Sequence, residues 1–222
     1  MGKMCIKRSS NQIRSEHMTL LILIRHGQTE WNKVERFRGR ADVPLNENGL
    51  AQAEATGRRV ASEWRPEAIY TSPLSRSVKT AEAIAKHHGL QVQQHPGLAD
   101  IDYGEWQGLT PEEACQLWPD EIDAWYNQPH LARIPGGETL SDLSARAMQT
   151  MNELVDRHPG DTIVLVGHTV INRIIILGVL GLSNERFWRI KQDTCAINVF
   201  EADDGNFTLV SMNDTCHLKA QL

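Results

Sequence analysis

Two short segments constrain this chain more than anything else in it. Residues 20–24 read LLILI and residues 163–166 read IVLV. A strand that is apolar at every position has no face to offer to water. It belongs in a parallel-type sheet covered on both sides. Both runs stop abruptly, the first at Arg25-His26-Gly27 and the second at Gly167-His168-Thr169. A buried segment that ends on a cation or a histidine beside glycine raises the question of what those side chains meet.

Helical patterns separate the strands. Residues 46–64 read as a helix, with Asn46 as cap, Leu50, Ala53, Val60, Ala61 and Trp64 inward, and Pro66 beyond its end. AIYTSP at 68–73 is a brief strand meeting a helix, with Ser72 as N-cap, Pro73 in the first helical position and Gly89 past the end. LQVQQ at 90–94 is a further strand. Thr110, Pro111 and Glu113 mark a helix start with a capping box. Residues 139–158 form a long amphipathic helix burying Leu140, Leu143, Ala147, Met151, Leu154 and Val155. A helix over about 170–180 follows the IVLV strand, and residues 196–212 close the chain as a hairpin turning at Asp204-Gly205. The alternation predicts an α/β fold: a mainly parallel central sheet with helices on both faces.

The 222 residues suit one domain, placed at 18–222. Residues 1–17 are polar and basic without an apolar core, so they read as a disordered leader and not a secretory signal, with Met18 a natural start. A net charge of -5 points to no nucleic-acid and no membrane partner. Cys5, Cys115, Cys195 and Cys216 form no C-x-x-C pair, which fits reduced thiols in a cytoplasmic protein and no metal site.

In parallel strands, the three junctions after residues 25, 71 and 167 share one edge of the sheet, where open α/β sheets bind ligands. Arg25, His26, Arg76 and His168 should therefore converge. Arginine forks, flanking glycines and helix N-termini suit a dianion, and a phosphate monoester is the simplest one. His87, His88, His95, His130, His158 and His217 lack this setting and are read as ordinary surface or packing histidines.

LIRHGQTEWN with ADVPLNENGLAQA, then YTSPLSRSVKTAEAIA, LADIDYGEWQGLTPEE, IPGGETL and VLVGHTVINRIII, in this order over about residues 19–176, resemble the blocks of the histidine phosphatase superfamily, the phosphoglycerate mutase-like enzymes. The resemblance implies a phosphoglycerate mutase-like fold and a phosphomonoester hydrolase that needs no metal and no cofactor. It implies His26 as the nucleophile, and Arg25, Arg76, a protonated His168 and Asn32 as phosphate ligands, helped by Thr169. The acid/base residue falls on Asp100, where the family most often has glutamate, with Asp102 and Glu105 as rivals. Arg38 stands where many family phosphatases carry Gln and would add a cation to substrate binding; Arg36 and Arg40 are read as a solvated basic loop. No basic insertion separates the third block from the last, which favours a phosphatase over a cofactor-dependent mutase, and the nucleophile and phosphate ligands are all present apart from the Glu-to-Asp change, which speaks against a non-catalytic phosphate binder. Trp106, Trp118, Trp125 and Tyr126, in 105–135, either line an entrance or pack. The partner is a small phosphomonoester substrate, and a homodimer is left open.

Overall fold

The computed structural model describes residues 18–221; the leader reading of residues 1–17 lies outside the described residues. In chain order the main elements are β1 (Thr19–Arg25), α1 (Glu30–Lys33), α2 (Glu47–Glu63), β2 (Ala68–Thr71), α3 (Ser75–Ala85), β3 (Val92–Gln94), α4 (Pro111–Leu117), α5 (Pro119–Asn127), α6 (Leu140–Arg157), β4 (Thr162–Gly167), α7 (Thr169–Val179), β5 (Ile197–Asp203) and β6 (Asn206–Asp214). The sheet runs β3-β2-β4-β1-β5-β6. The first four strands in that order are parallel, and the closing hairpin is antiparallel.

Strand burial explains the unbroken apolar runs. Leu21 and Leu23 point into one core with Tyr70, Leu165, α6 and α7, while Ile22 and Ile24 point into a second with Ile69, Val164, Val166, Val60 and Ile84. All four β1 side chains are fully buried, each worth roughly 1.5–3 kcal/mol relative to exposure. Helices therefore cover both faces, as the runs require.

Register sets the functional edge. Arg25 pairs with Gly167, and Thr71 with Val166. The His26 amide donates to the Gly167 carbonyl at 3.0 Å and the Ser72 amide to the Val166 carbonyl at 3.0 Å, carrying the ladder one residue past each strand. The hairpin turns at Asp204 and Gly205, with φ of 47° and 74°.

Two local expectations are corrected. The helix after β2 starts at Ser75, not Pro73. Ser72 Oγ instead accepts from the Leu74 amide, and the Asp42 carboxylate takes the Ser75 amide at 2.8 Å. The Leu74 and Ser75 amides at that helix end are thus taken by protein. On α2, Leu50 is exposed, because Gly49 and Ala53 form the packing face beside it. Ala61 and Trp64 are only half-buried.

Candidate active site

β1 delivers Arg25 and His26 to the sheet edge. A Cβ on Gly27 would run into the backbone of Gly49, so this glycine lets the chain turn against the first turn of α2. The His26 ring is buried, with Nδ1 2.6 Å from the Gly27 carbonyl oxygen. A carbonyl only accepts, so Nδ1 carries the proton and Nε2 keeps its lone pair. Burial above all, then Arg76 and the further guanidinium charges of Arg25 and Arg38, hold the His26 pKa well below the usual histidine value. The result is a neutral imidazole among cations.

β4 and α7 deliver His168, whose ring centroid lies 5.0 Å from that of His26. Arg76 Nε donates to His168 Nδ1 at 3.2 Å, and Nε2 lies 3.3 Å from Ser77 Oγ. Burial and then Arg76 depress the His168 pKa strongly. The expectation of a protonated His168 is thus corrected: a ring nitrogen that accepts from a guanidinium holds no proton, and the positive charge sits on Arg76. Arg76 spends two further donors on the carbonyls of Gly39 and Ala41, at 2.8 and 2.7 Å, which leaves two of its five N–H groups. Burial pulls its pKa down to about 10.

Arg25 donates to the Gln192 carbonyl at 2.6 Å, and its buried Nε has no partner. Burial first and Arg38 next draw its pKa down to about 9. Arg38 donates to the Trp31 carbonyl at 2.8 Å. Asn32 Oδ1 accepts from the amide and hydroxyl of Thr29, at 2.8 and 3.0 Å, so its Nδ2 is left as the donor. Thr169 Oγ1 is buried without a partner.

Asp100 is 5% exposed, and its Oδ1 has no hydrogen-bond partner. Burial raises its pKa, outweighing the opposite pull of Arg76, the Ile101 amide, Arg38 and the Ile171 amide. Its carboxyl can hold a proton above the ordinary carboxylate range. The rivals are placed differently. Asp102 pairs with Arg40 at 3.1 Å and accepts from the Gly104 amide, and Glu105 is exposed.

A cleft of ≈ 500 Å³ opens onto this group and is lined by Arg25, Asn32, Arg38, Asp100 and Thr169. His26, Arg76 and His168 lie beneath that lining, each at most 1% exposed. Trp125, Tyr126, Phe187 and Trp188 form an aromatic wall. Of the four aromatics in 105–135, Trp125 and Tyr126 line the cleft, whereas Trp106 is buried in the core and Trp118 packs against it. Arg36 also lines the cleft, bonded to Gly108 and Glu113, while Arg40 is exposed and paired with Asp102 and Glu138.

Sequence reasoning missed Arg173. It stands one turn after Thr169 on α7, so both reach the same wall. Its guanidinium lies 5.0 Å from the ring centroids of both Phe187 and Trp188. Its Nε is buried and unpartnered, and no carboxylate among the described residues pairs with it. The signal was available as helical spacing from Thr169, but Phe187 and Trp188 lie in a segment without periodicity.

The arrangement offers a neutral ring nitrogen as nucleophile, a cationic bed for a dianion and a buried carboxyl, its pKa raised by burial, that can exchange a proton with a leaving oxygen. The chain as a whole is similar to known proteins. The chain is 34% identical to "Phosphoserine phosphatase 1" of Hydrogenobacter thermophilus, over 90% of this chain and 95% of that one. It is 32% identical to "Metal-independent phosphoserine phosphatase" of Arabidopsis thaliana, over 94% of this chain and 87% of that one. The solved structure of Bacillus stearothermophilus YhfR superposes with a TM-score of 0.86 at 31% identity, covering 90% of this chain and 99% of that one. Because the model of the histidine phosphatase superfamily (branch 1) also matches residues 21–215, the chain belongs to that superfamily and is one of its phosphomonoester hydrolases.

Proposed function

We propose that the chain hydrolyses O-phosphoserine, or a close carboxylate-bearing phosphomonoester, through a phosphohistidine on His26. The observation that carries the covalent route is the Nδ1–carbonyl bond of His26, which leaves Nε2 as a lone-pair donor within the group formed by Arg25, Arg38, Arg76 and His168. In the first step the Nε2 lone pair forms an N–P bond while the ester P–O bond breaks. The leaving oxygen takes the bond's electron pair and the proton of Asp100. In the second step water attacks phosphorus and gives a proton to the Asp100 carboxylate. The N–P bond breaks, its electrons return to the imidazole, and inorganic phosphate leaves. The arginines stabilise charge on the transferring group.

Arg173 supports the choice of substrate. It is a half-buried cation on the cleft wall, with a buried, unpartnered Nε and no ion pair among the described residues, and a substrate carboxylate would supply one. The relatives named as phosphoserine phosphatases support the same reading and weigh against a mutase. No helix among the described residues is long and apolar enough to cross a membrane, and the free thiols Cys115, Cys195 and Cys216 fit a cytoplasmic setting.

The test is turnover on a panel of phosphomonoesters, with Arg173→Gln alongside. A lost charge-assisted bond is worth about 1.5–3 kcal/mol, so KM for phosphoserine should rise roughly 10- to 150-fold in that variant, while ethyl phosphate is unaffected. Equal kcat/KM for ethyl phosphate and phosphoserine in the parent would overturn the substrate assignment.

A further inference from the structure

Asp100 sits on a strip without regular structure, residues 99–103, yet general acid catalysis needs its carboxyl held within hydrogen-bond reach of one oxygen. An aspartate has a short side chain, so it cannot re-aim far unless its backbone moves. What holds that backbone is therefore part of the chemistry.

The holding group is on α6. Arg146 Nη1 donates to the carbonyls of Gly97 and Ala99, at 3.0 and 2.9 Å, and Nη2 lies 3.4 Å from the Asp100 carbonyl. The same guanidinium is gripped by Glu138, through Nε to Oε1 at 3.2 Å and Nη2 to Oε2 at 2.9 Å. Glu138 in turn takes the Asp102 amide on Oε2 at 3.0 Å and gives its own amide to the Asp102 carbonyl at 2.9 Å. The backbone on both sides of Asp100 is thus fastened to the Arg146–Glu138 pair, whose Glu138 Oε1 also takes Arg40 at 3.1 Å. Arg146 does not line the active cleft. It lies on a separate groove with Arg40, His95 and Glu153, on the far side of the strip.

We infer that Arg146, locked by Glu138, is the positioning residue that sets the reach of the acid/base carboxyl of Asp100. The inference rests on the role given to Asp100 above. Arg146 touches no reacting atom and acts through the main chain. Its removal therefore harms the proton-transfer steps and spares phosphate binding and nucleophilic attack.

The experiment uses full-length Arg146→Met, which keeps most of the aliphatic stem, and Arg146→Lys, which keeps a donor. Each is made in the parent and in Asp100→Asn. Two rates are read: steady turnover of an alkyl phosphate, and single-turnover release of p-nitrophenol from p-nitrophenyl phosphate, whose leaving group departs without an acid. Misplacement by about 1 Å can cost on the order of 100-fold. Arg146→Met should therefore cut alkyl turnover roughly 10- to 100-fold with KM unchanged. Lysine should restore part of the loss, and p-nitrophenol release should stay near the parent rate. In the Asp100→Asn background, either Arg146 change should cost nothing more. Equal losses on both substrates, or a full additional loss in the double variant, would overturn the assignment in favour of general distortion. Parental alkyl turnover in Asp100→Asn alone would remove the acid/base reading itself, an outcome visible before any Arg146 variant is compared.

Discussion

Asp100→Asn isolates the proton from the rest of the site. Asparagine has nearly the same shape, and its carbonyl oxygen can still accept the Ile101 and Ile171 amides that bond the aspartate. What it cannot do is give a proton to the leaving oxygen or take one from water. General acid–base groups contribute about 10²–10⁴ in rate, which is about 2.7–5.5 kcal/mol of activation energy at 1.36 kcal/mol per decade. Asp100 is 5% exposed, so bulk water is poorly placed to act as a substitute acid, and the upper half of that range is expected. Turnover of phosphoserine should fall by about 10³-fold or more. With p-nitrophenyl phosphate the first step needs no acid, so a burst of p-nitrophenol should precede slow turnover limited by the second step. Stopped-flow absorbance reads both phases. Full alkyl turnover in Asp100→Asn, with activity abolished by Asp102→Asn or Glu105→Gln, would refute the reasoning. Both rivals are held elsewhere, Asp102 by Arg40 and Glu105 at the surface.

Stability should fall in acid because of the two buried histidines. The folded pKa of each lies well below its unfolded value of about 6.5, so the unfolded chain binds more protons as the pH drops below that point. Each costs about 1.4 kcal/mol between pH 7.5 and 5.5; His26→Asn should lose about that much less than the parent in urea unfolding, and an unchanged pH dependence would contradict it. Gly49→Ala would drive a Cβ into the Gln28 carbonyl, so it should destabilise by about 1–3 kcal/mol and lower activity through the loop that carries His26; unchanged melting and kcat would argue against this close approach. Prolonged EDTA treatment should leave turnover intact, since Arg25, Arg38 and Arg76 around His26 can supply the positive charge that phosphoryl transfer needs; loss of activity restored by a divalent ion would contradict this.

The apolar runs made the fold readable. Strands buried on both faces leave no ambiguity of side, and their last residues fall at the sheet's carboxyl edge whatever the strand order. Arg25, His26, Arg76 and His168 were visible for that reason. The start of α3 was misread because Ser72-Pro73 is a good helix signal locally, while the deciding contact, Asp42 to the Ser75 amide, comes from 33 residues away. The neutral state of His168 also depends on a distant partner, Arg76, through a bond that spacing cannot reveal. Arg146 reads in sequence as one of the polar positions of an amphipathic helix. Only the fold shows it turned toward the strip that carries Asp100.

The central claim is that phosphate passes through His26. The direct measurement is alkaline quenching of the enzyme during turnover of a substrate radiolabelled in the phosphoryl group, followed by digestion and peptide mapping. Label should appear on the peptide containing LIRHGQTEWN, resist alkali, be lost in acid and be absent from His26→Asn. Retained label in that variant, or label mapped to the peptide containing His168, would contradict the account.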